Sequence, residues 1–524
     1  MTLDTTAVLT GPRAARRGGW PRRLVGAGFA IAVLLMLVNL GTLLLAALVA
    51  LGYPYDLDYG EGIVWQQLRN IVAGTGYGPL GVYPAVVYHY PPVYHLTTAA
   101  TAWAFGLDQL FAGRLVSLLS TVAMMGLVGR LVVSATPRGE DRVLQLAAAA
   151  IGGLCLASIP SILSWAFLMR VDMLACALTL AGLALGIRAI ERPSAIPFAA
   201  LAFVLAIYTK QTSIAGPVAV FAALWLVRPR AAIVLFACCA GLGLIALGGL
   251  SLASDGGFLR HILLYNINRL DLSRIDLLAW ILTSQAMLIA MAAFAIVASW
   301  RRLELGRPLA LRAKLAGDPS KAAPLILLLF LAVKTMMLPM ILKSGSSDNY
   351  IIEWSCGMAV FVGLAAVPVL KFVRDGTAAP SLVLLLLFTV ALPVTAWQIP
   401  ASEPDAAGAR YQGALMAGVV TDIRASAKPV ISDDMVLLIR AGREVQWEPA
   451  IAAELAHSRV YDEAAFADMV RRHAFGFFLT HDGPGSVFFK QRYNPVVADA
   501  IEAAYPRLRQ VGPLVYHLPP AGQP

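Results

Sequence analysis

Apolar stretches long enough to cross a bilayer, roughly 17 to 25 residues each, recur through the first 400 residues of this chain and constrain its fold more than any other feature. They lie near 24–52, 110–135, 143–168, 173–190, 194–209, 213–227, 231–252, 277–299, 324–342, 352–370 and 379–399, about eleven in all. In hydrocarbon every backbone polar group needs a partner within the segment, and an open sheet edge leaves a row of them unpaired. The segments are therefore helices, and a barrel is excluded. Composition agrees: 59% of the 524 residues are hydrophobic, 14% are charged, and the mean hydropathy is +0.71, outside the range of soluble globular proteins.

Charge sets the orientation. Residues 1–23 hold Arg13, Arg16, Arg17, Arg22 and Arg23 ahead of an apolar run without a small-residue cleavage site, the pattern of an uncleaved first helix with a cytoplasmic N-terminus. From that start, the even-numbered connections carry Arg138 and Arg142, Arg188 and Arg192, Arg228 and Arg230, Arg301 through Lys321, and Lys371 and Arg374, as the positive-inside rule requires. The first connection, 53–109, then faces outward, and so does everything after residue 400. Residues 91–105 open on Pro-Pro, are short for a span and would break the charge pattern by crossing; they read as a helix lying in the interface.

The net charge of +10 is spent on this orientation, and no nucleic-acid signature accompanies it. The five cysteines (Cys155, Cys176, Cys238, Cys239, Cys356) fall in apolar sequence and read as small core residues. From Ala401 onward the composition is that of a soluble domain. "PVISDD", "FGFFLTH" and "PLVYHLPP" read as strands, and "YQGALMAGVVTDIRAS", "DEAAFADMVRRH" and "YNPVVADAIEAAY" have helical period. The expected division is a cytoplasmic stretch (1–23), a transmembrane domain (24–400) with its long first loop, and a small α/β extracytoplasmic domain (401–524). No internal repeat and no inverted pair of broken helices appears.

Ionisable residues that orientation does not explain are expensive near a membrane and mark candidate function. They gather on the outer connections. The first contains Asp56, Asp58 and Glu61 in "DLDYGEG", then Tyr83, Tyr88, His89, Tyr90, Tyr94 and His95; others contain Arg170 and Asp172 in "LMRVDML", Lys210 in "IYTKQTS", Arg260, His261, Arg269 and Arg274, and Lys343, Asp348, Asn349, Tyr350 and Glu353. Cations converging with carboxylates suit an anionic headgroup, phosphate above all, beside a carboxylate that removes a proton from an acceptor hydroxyl. Interfacial salt bridges and an aromatic belt are the competing explanation for individual residues. Asp58 or Glu61 with His89 would be the ligands of a metal, although their spacing matches no strong metal motif. The sequence requires no cofactor and is compatible with a divalent cation.

The order of these motifs resembles a known family. A cytoplasmic N-terminus, an acidic first outer loop ("DLDYGEG"), then "YPPVYH", "AGRLVSLLST", "RVDML", "TKQT" and a late "GSSDNYIIEW" is similar to the integral-membrane glycosyltransferases of the GT-C superfamily. Among these it resembles family 39-like enzymes, such as protein O-mannosyltransferases and the lipid A aminoarabinose transferase, and related bacterial sugar transferases of lipopolysaccharide assembly. The resemblance implies a polytopic α-helical membrane protein with the GT-C fold, multi-pass in a bacterial inner membrane. It further implies inverting transfer of a sugar from a polyprenyl-phosphate donor to a glycan, lipid or protein acceptor on the outer face.

By position in the family motif Asp58 is the base, with Glu61 and Asp56 as alternatives; this chain reads "DLDYGEG" where relatives often carry adjacent acids. Arg170, Lys210, Arg260, Arg269 and Lys343 match regions that handle the donor phosphate. Asp172, Tyr88, His89, Tyr94, His95, Asn349, Tyr350 and Glu353 are the expected substrate-binding set. A transporter or flippase, or a ligase, of lipid-linked sugars is the alternative; a transporter should place unexplained charge at both ends of its spans.

Overall fold

In a computed structural model the protein is described for residues 19–137, 139–265, 268–305, 308–317, 321–376, 379–397 and 406–521. Arg13, Arg16, Arg17 and Arg138 lie outside these residues, as does the expected domain boundary at 400.

The apolar sequence is helical throughout. Helix α1 (Gly19–Gly52) is followed by a loop holding α2 (Gly60–Val72) and α3 (Val93–Phe105). Then come α4 (Gln109–Ala135), α5 (Arg142–Cys155), α6 (Pro160–Trp165), α7 (Asp172–Ala189), α8 (Ile196–Ile207), α9 (Ala215–Val227) and α10 (Pro229–Ala253). Long helices at Ala286–Leu303, Ala322–Met336 and Ile352–Asp375 follow. Among the described residues seven helices are long and apolar enough to span a membrane. Four shorter apolar helices (Arg142–Ser158, Pro193–Ile207, Ala215–Val227 and Leu382–Ala396) occupy the remaining segments expected to be spans. Helix α1 is apolar on every side and leaves Leu34, Leu45 and Leu48 exposed, which in water would be costly and in lipid is not. Helix α3 is 13 residues, about 20 Å, and falls short of the ~30 Å hydrocarbon layer.

Two side-chain caps help set the helix starts. The Asp108 carboxylate accepts from Leu110 N and Phe111 N at the head of α4, and Asp141 does the same for Val143 N and Leu144 N at α5.

The C-terminal part is α/β. Four strands, β1 (Ile431–Ser432), β2 (Phe478–His481), β3 (Arg507–Val511) and β4 (Leu514–Leu518), form one sheet in the order β1-β2-β4-β3. β1 is parallel to β2, and the other pairs are antiparallel, with Phe478 opposite His517 and His517 opposite Leu508. The three segments read as strands are strands, and the three with helical period are helices (Ala406–Ala425, Glu463–Arg471, Pro495–Ala504). The sequence reading missed β3, an edge strand mostly exposed along "RLRQV", where charge breaks the apolar alternation.

The apolar core of this part is shared with the first loop. Leu80, Ala85 and Val87 of the first loop are buried in one cluster with Trp447, Phe466, Phe475, Phe478, Tyr493 and Tyr505. Ile63, Val64, Trp65 and Leu68 of α2 share another with Met435 to Ile439. Each large side chain buried this way contributes about 1.5–3 kcal/mol, so the loop and the C-terminal sheet hold one another. Polar ties reinforce the joint: Ala85 N donates to Gln446 O at 2.8 Å, and Arg440 forms an ion pair with Asp108 at 2.7 Å. The consequence is a roofed cavity between the helices and the sheet.

Candidate active site

The acidic stretch of the first loop enters this cavity at one carboxylate. Asp58 precedes α2, and its Oδ1 accepts from Gly60 N at 3.0 Å and from Arg170 Nη1 at 2.8 Å. Gly60 is glycine for a steric reason: a Cβ there would stand 1.4 Å from Arg170 Nη1. Arg170 lies just ahead of α7 with its guanidinium 5.0 Å from the Trp165 ring centroid. Two residues on, Asp172 opens α7 and accepts from Lys210 Nζ at 2.6 Å and from Asn349 Nδ2 at 2.8 Å. The Lys210 ammonium also sits 4.7 Å from the Tyr350 ring centroid. Residues far apart in sequence thus form two linked ion pairs along one wall.

The cavity has a volume of about 810 Å³. It is lined by Asp58, His89, Arg170, Lys210, Arg269, Lys343, Asn349 and Tyr350, all expected from sequence, and Arg274 joins them. Asp172 lies directly behind, buried under Lys210 and Asn349. Arg269 is held by Glu454 at 3.1 Å, and Arg274 Nε donates to Ile341 O at 3.3 Å, fastening the loop that carries Lys343. Among the described residues no hydrogen bond or ion pair engages the Lys343 ammonium. Burial pushes the His89 imidazole down to about 4, which keeps it neutral.

Other expected site residues are placed elsewhere. Glu61 is fully buried: its carboxylate accepts from Arg114 Nε at 2.8 Å and Arg114 Nη2 at 2.6 Å, and from the backbone N–H groups of Leu57 and Met169, each at 2.8 Å. With all its lone-pair directions committed, it braces the loop and does not reach the cavity. The set Asp58, Glu61 and His89 therefore makes no metal site, and among the described residues no group of three His, Cys, Asp or Glu side chains does.

Asp56 turns away into a second cavity of about 250 Å³ with Asp434 of the C-terminal part. Burial and the facing carboxylate hold Asp56 well above the usual range, and burial raises Asp434 to about 6, so the pair shares a proton. Tyr88 bonds Asn70, Tyr94 donates to Gly113 O, and His95 meets Gln67; all three are buried behind the wall. Arg260 is exposed and donates to Asp255 O. Glu353 is paired with Lys334 at 2.8 Å, one layer below Asp172.

The C-terminal part supplies cavity residues that the sequence reading did not single out: Glu448, Glu454 and Arg492, facing Tyr59 of the loop. Arg492 stacks 4.2 Å from the Tyr59 ring centroid and forms an ion pair with Asp433 at 2.6 Å. Burial raises the Glu448 carboxyl to about 7, an effect that Arg170 and Arg492 only partly offset. "WEP" at 447–449 is its only local signal, an acid ahead of a helix-starting proline, and that pattern carries no hint of a cavity.

Comparison with solved structures identifies the architecture. ArnT from Cupriavidus metallidurans bound to undecaprenyl phosphate superposes with a TM-score of 0.55 at 13% identity, over 93% of this chain and 99% of that one. The apo state of ArnT from the same organism gives 0.54 at 15% identity, over 92% and 97%. AglB from Archaeoglobus fulgidus, an oligosaccharyltransferase in complex with an inhibitory peptide and a dolichol-phosphate, gives 0.47 at 11% identity over 93% and 75%. No protein-family model matches the chain, and no curated protein does.

Proposed function

We propose that this chain, whose GT-C fold extends over the whole length of ArnT, is an inverting glycosyltransferase that takes a sugar from a polyprenyl-phosphate donor on the outer face of a bacterial inner membrane. One observation carries the reading: a carboxylate, Asp58, sits on a single cavity with a row of cations, and that cavity opens where the helices meet the C-terminal sheet. ArnT was crystallised with undecaprenyl phosphate, which supports a lipid-linked phosphate as the ligand here.

The chemistry asks little more of the protein. An acceptor hydroxyl oxygen attacks the anomeric carbon while Asp58 takes its proton; the carbon–oxygen bond to phosphate breaks, and the phosphate oxygen leaves with the electron pair as polyprenyl phosphate. A single displacement inverts the anomeric carbon. Lys210, Arg170, Arg269 and Lys343 stabilise the charge that grows on the leaving phosphate, and they do so best when already fixed in place. Asp172, itself held by Asn349, fixes Lys210, the Tyr350 ring backs it, and neutral His89 lines the cavity without adding charge. No step is routed through a metal, because Glu61 is committed to Arg114.

The transport alternative has one observation behind it. A third cavity, of about 810 Å³, lies at the far ends of α4 and α7, lined by Arg130, Arg188, Arg192, Arg302 and Lys321 with Glu191 as its acid. Asp172 and Arg188 are 16 positions apart on one helix, about 24 Å. The cations there are what orientation alone demands, whereas the acid–cation pairs of the first cavity are not.

The test compares lipids and surface glycans of cells carrying no gene, the wild-type gene or Asp58→Asn. Loss of one sugar linkage together with accumulation of a polyprenyl-phosphate sugar is expected in the first and third. Normal turnover by Asp58→Asn moves the base elsewhere, and movement of a lipid-linked sugar across proteoliposomes without transfer replaces the enzyme by a transporter.

A further inference from the structure

The cavity wall contributed by the C-terminal part contains a group the proposed reaction has not used. Glu448 is 6% exposed, lines the cavity, and its Oε2 has no hydrogen-bond partner. It stands at the start of the helix Pro449–His457 but its carboxyl caps nothing there. The adjacent Trp447 ring is stacked 4.2 Å from Phe466, which pins the backbone and keeps the side chain turned inward. Arg170 pairs with Asp58 through Nη1 and Arg492 pairs with Asp433, and among the described residues neither donates to Glu448 Oε2. A buried carboxylate oxygen without a donor is costly, and the shortfall is made good by a ligand that brings one.

We infer that Glu448 marks the acceptor subsite, where the C-terminal part receives a hydroxyl-bearing carbohydrate through a hydrogen bond to Glu448 Oε2. This rests on the glycosyltransferase reading and adds to it the side of entry and the class of acceptor. The two walls differ in the way the two substrates would need. On the helix side, Lys210, Arg170 and Lys343 present positive charge for a phosphate. On the sheet side, the carboxyls of Glu448 and Glu454 line the cavity with Lys490, Arg492 and the Phe488 ring; Arg492 is taken by Asp433, and Glu448 Oε2 can accept from a hydroxyl. Tyr59 connects the walls: it follows Asp58 in sequence, and its hydroxyl accepts from Ala450 N at 3.4 Å, two residues after Glu448. Glu448 and Asp58 line the same cavity, so one molecule bearing several hydroxyls can engage both walls. Glu448 is a positioning residue in this scheme.

The experiment uses the full chain, with Glu448→Ala and Glu448→Gln made beside wild type and Lys210→Ala. Undecaprenyl phosphate is the binding probe on purified protein, and the surface glycans and lipids of complemented cells report transfer. Expected results are undecaprenyl phosphate affinity within twofold of wild type for both Glu448 variants, which also shows that they fold. With it come at least a tenfold fall in the sugar-bearing glycan for Glu448→Ala, accumulated donor lipid, and partial recovery in Glu448→Gln, whose amide oxygen still accepts. Wild-type glycan levels in Glu448→Ala overturn the inference, and so does a tenfold loss of undecaprenyl phosphate affinity, which would put Glu448 on the donor side. Loss of sugar from secreted protein rather than from glycan overturns the carbohydrate assignment. If wild type itself binds no undecaprenyl phosphate, and cells without the gene have unchanged glycans, the transferase reading falls and takes this inference with it.

Discussion

Glu61 and Asp58 lie three positions apart, and replacing each by its amide separates a bracing carboxylate from the one proposed to react. Glu61→Gln keeps shape and volume but exchanges one oxygen for an NH₂ group. Every partner of that carboxylate is a donor: two guanidinium nitrogens of Arg114 and two backbone N–H groups. Whichever way the amide turns, one of its ends meets a guanidinium N–H and a backbone N–H as donor against donor. Arg114 is left charged at 0% exposure, and it cannot swing away because it also donates to the carbonyls of Ala50, Tyr53 and Tyr55, each at 2.6 Å. Breaking a buried pair in this way costs about 3–5 kcal/mol, or two to nearly four powers of ten in the unfolding equilibrium at ~1.4 kcal/mol each.

Asp58→Asn is different. The Asp58 side chain is 29% exposed and its pairing with Arg170 is partly solvated, so the stability cost is about 1 kcal/mol or less. Thermal and denaturant unfolding in detergent should therefore show Glu61→Gln strongly destabilised and Asp58→Asn close to wild type, while transfer in cells is lost in both. A Glu61→Gln protein that unfolds like wild type yet transfers no sugar would refute the reasoning and make Glu61 the reacting carboxylate.

The two glycines of "YGEG" should respond differently to alanine. At Gly60 the added Cβ meets the mobile end of Arg170, so Gly60→Ala should fold, lose the pairing with Asp58, and bind undecaprenyl phosphate about 10-fold more weakly, the value of one charge-assisted hydrogen bond. At Gly62 the Cβ would lie 2.6–2.8 Å from Met435 Cβ and C and Val436 N, so Gly62→Ala should instead loosen the C-terminal part, seen as early proteolysis after residue 405. Lys210→Ala should weaken undecaprenyl phosphate by about 10- to 100-fold; unchanged affinity would remove Lys210 from the phosphate site. The carboxyl pair of Asp56 and Asp434 predicts a pH effect. Both are raised in the folded protein, Asp434 to about 6 and Asp56 well above its ordinary range, so it holds more protons than the unfolded chain from about pH 4 upward, and the stability they confer is present below that pH and lost as pH rises through the raised values. Asp434→Asn, which can still accept from Leu437 N, should raise the unfolding temperature at pH 8 and leave it nearly unchanged at pH 5; no gain at pH 8 would exclude the shared proton.

Apolar length and backbone hydrogen bonding leave only helices for the first 400 residues, and that is local physics: it needs no knowledge of neighbours. The same holds for the strands with clean alternation and for the short α3. Lone charges in apolar sequence were legible for the same reason, since Arg170, Asp172 and Lys210 need partners wherever the chain goes. Which partner each receives is not local. Asp58 and Glu61 are both acids in one glycine-rich run, and only the arrival of Arg114 from α4 and Arg170 from ahead of α7 makes one a brace and leaves the other at the cavity. Glu448 looks like any acid before a proline, and it becomes a cavity residue because the loop and the sheet share their apolar cores across more than 350 positions of sequence. Sequence by itself determined the membrane helices, the α/β tail and the pool of charged candidates. The tertiary structure alone decided which charges neutralise one another and which remain to meet a substrate, because pairing depends on distances of 3 Å that no local pattern encodes.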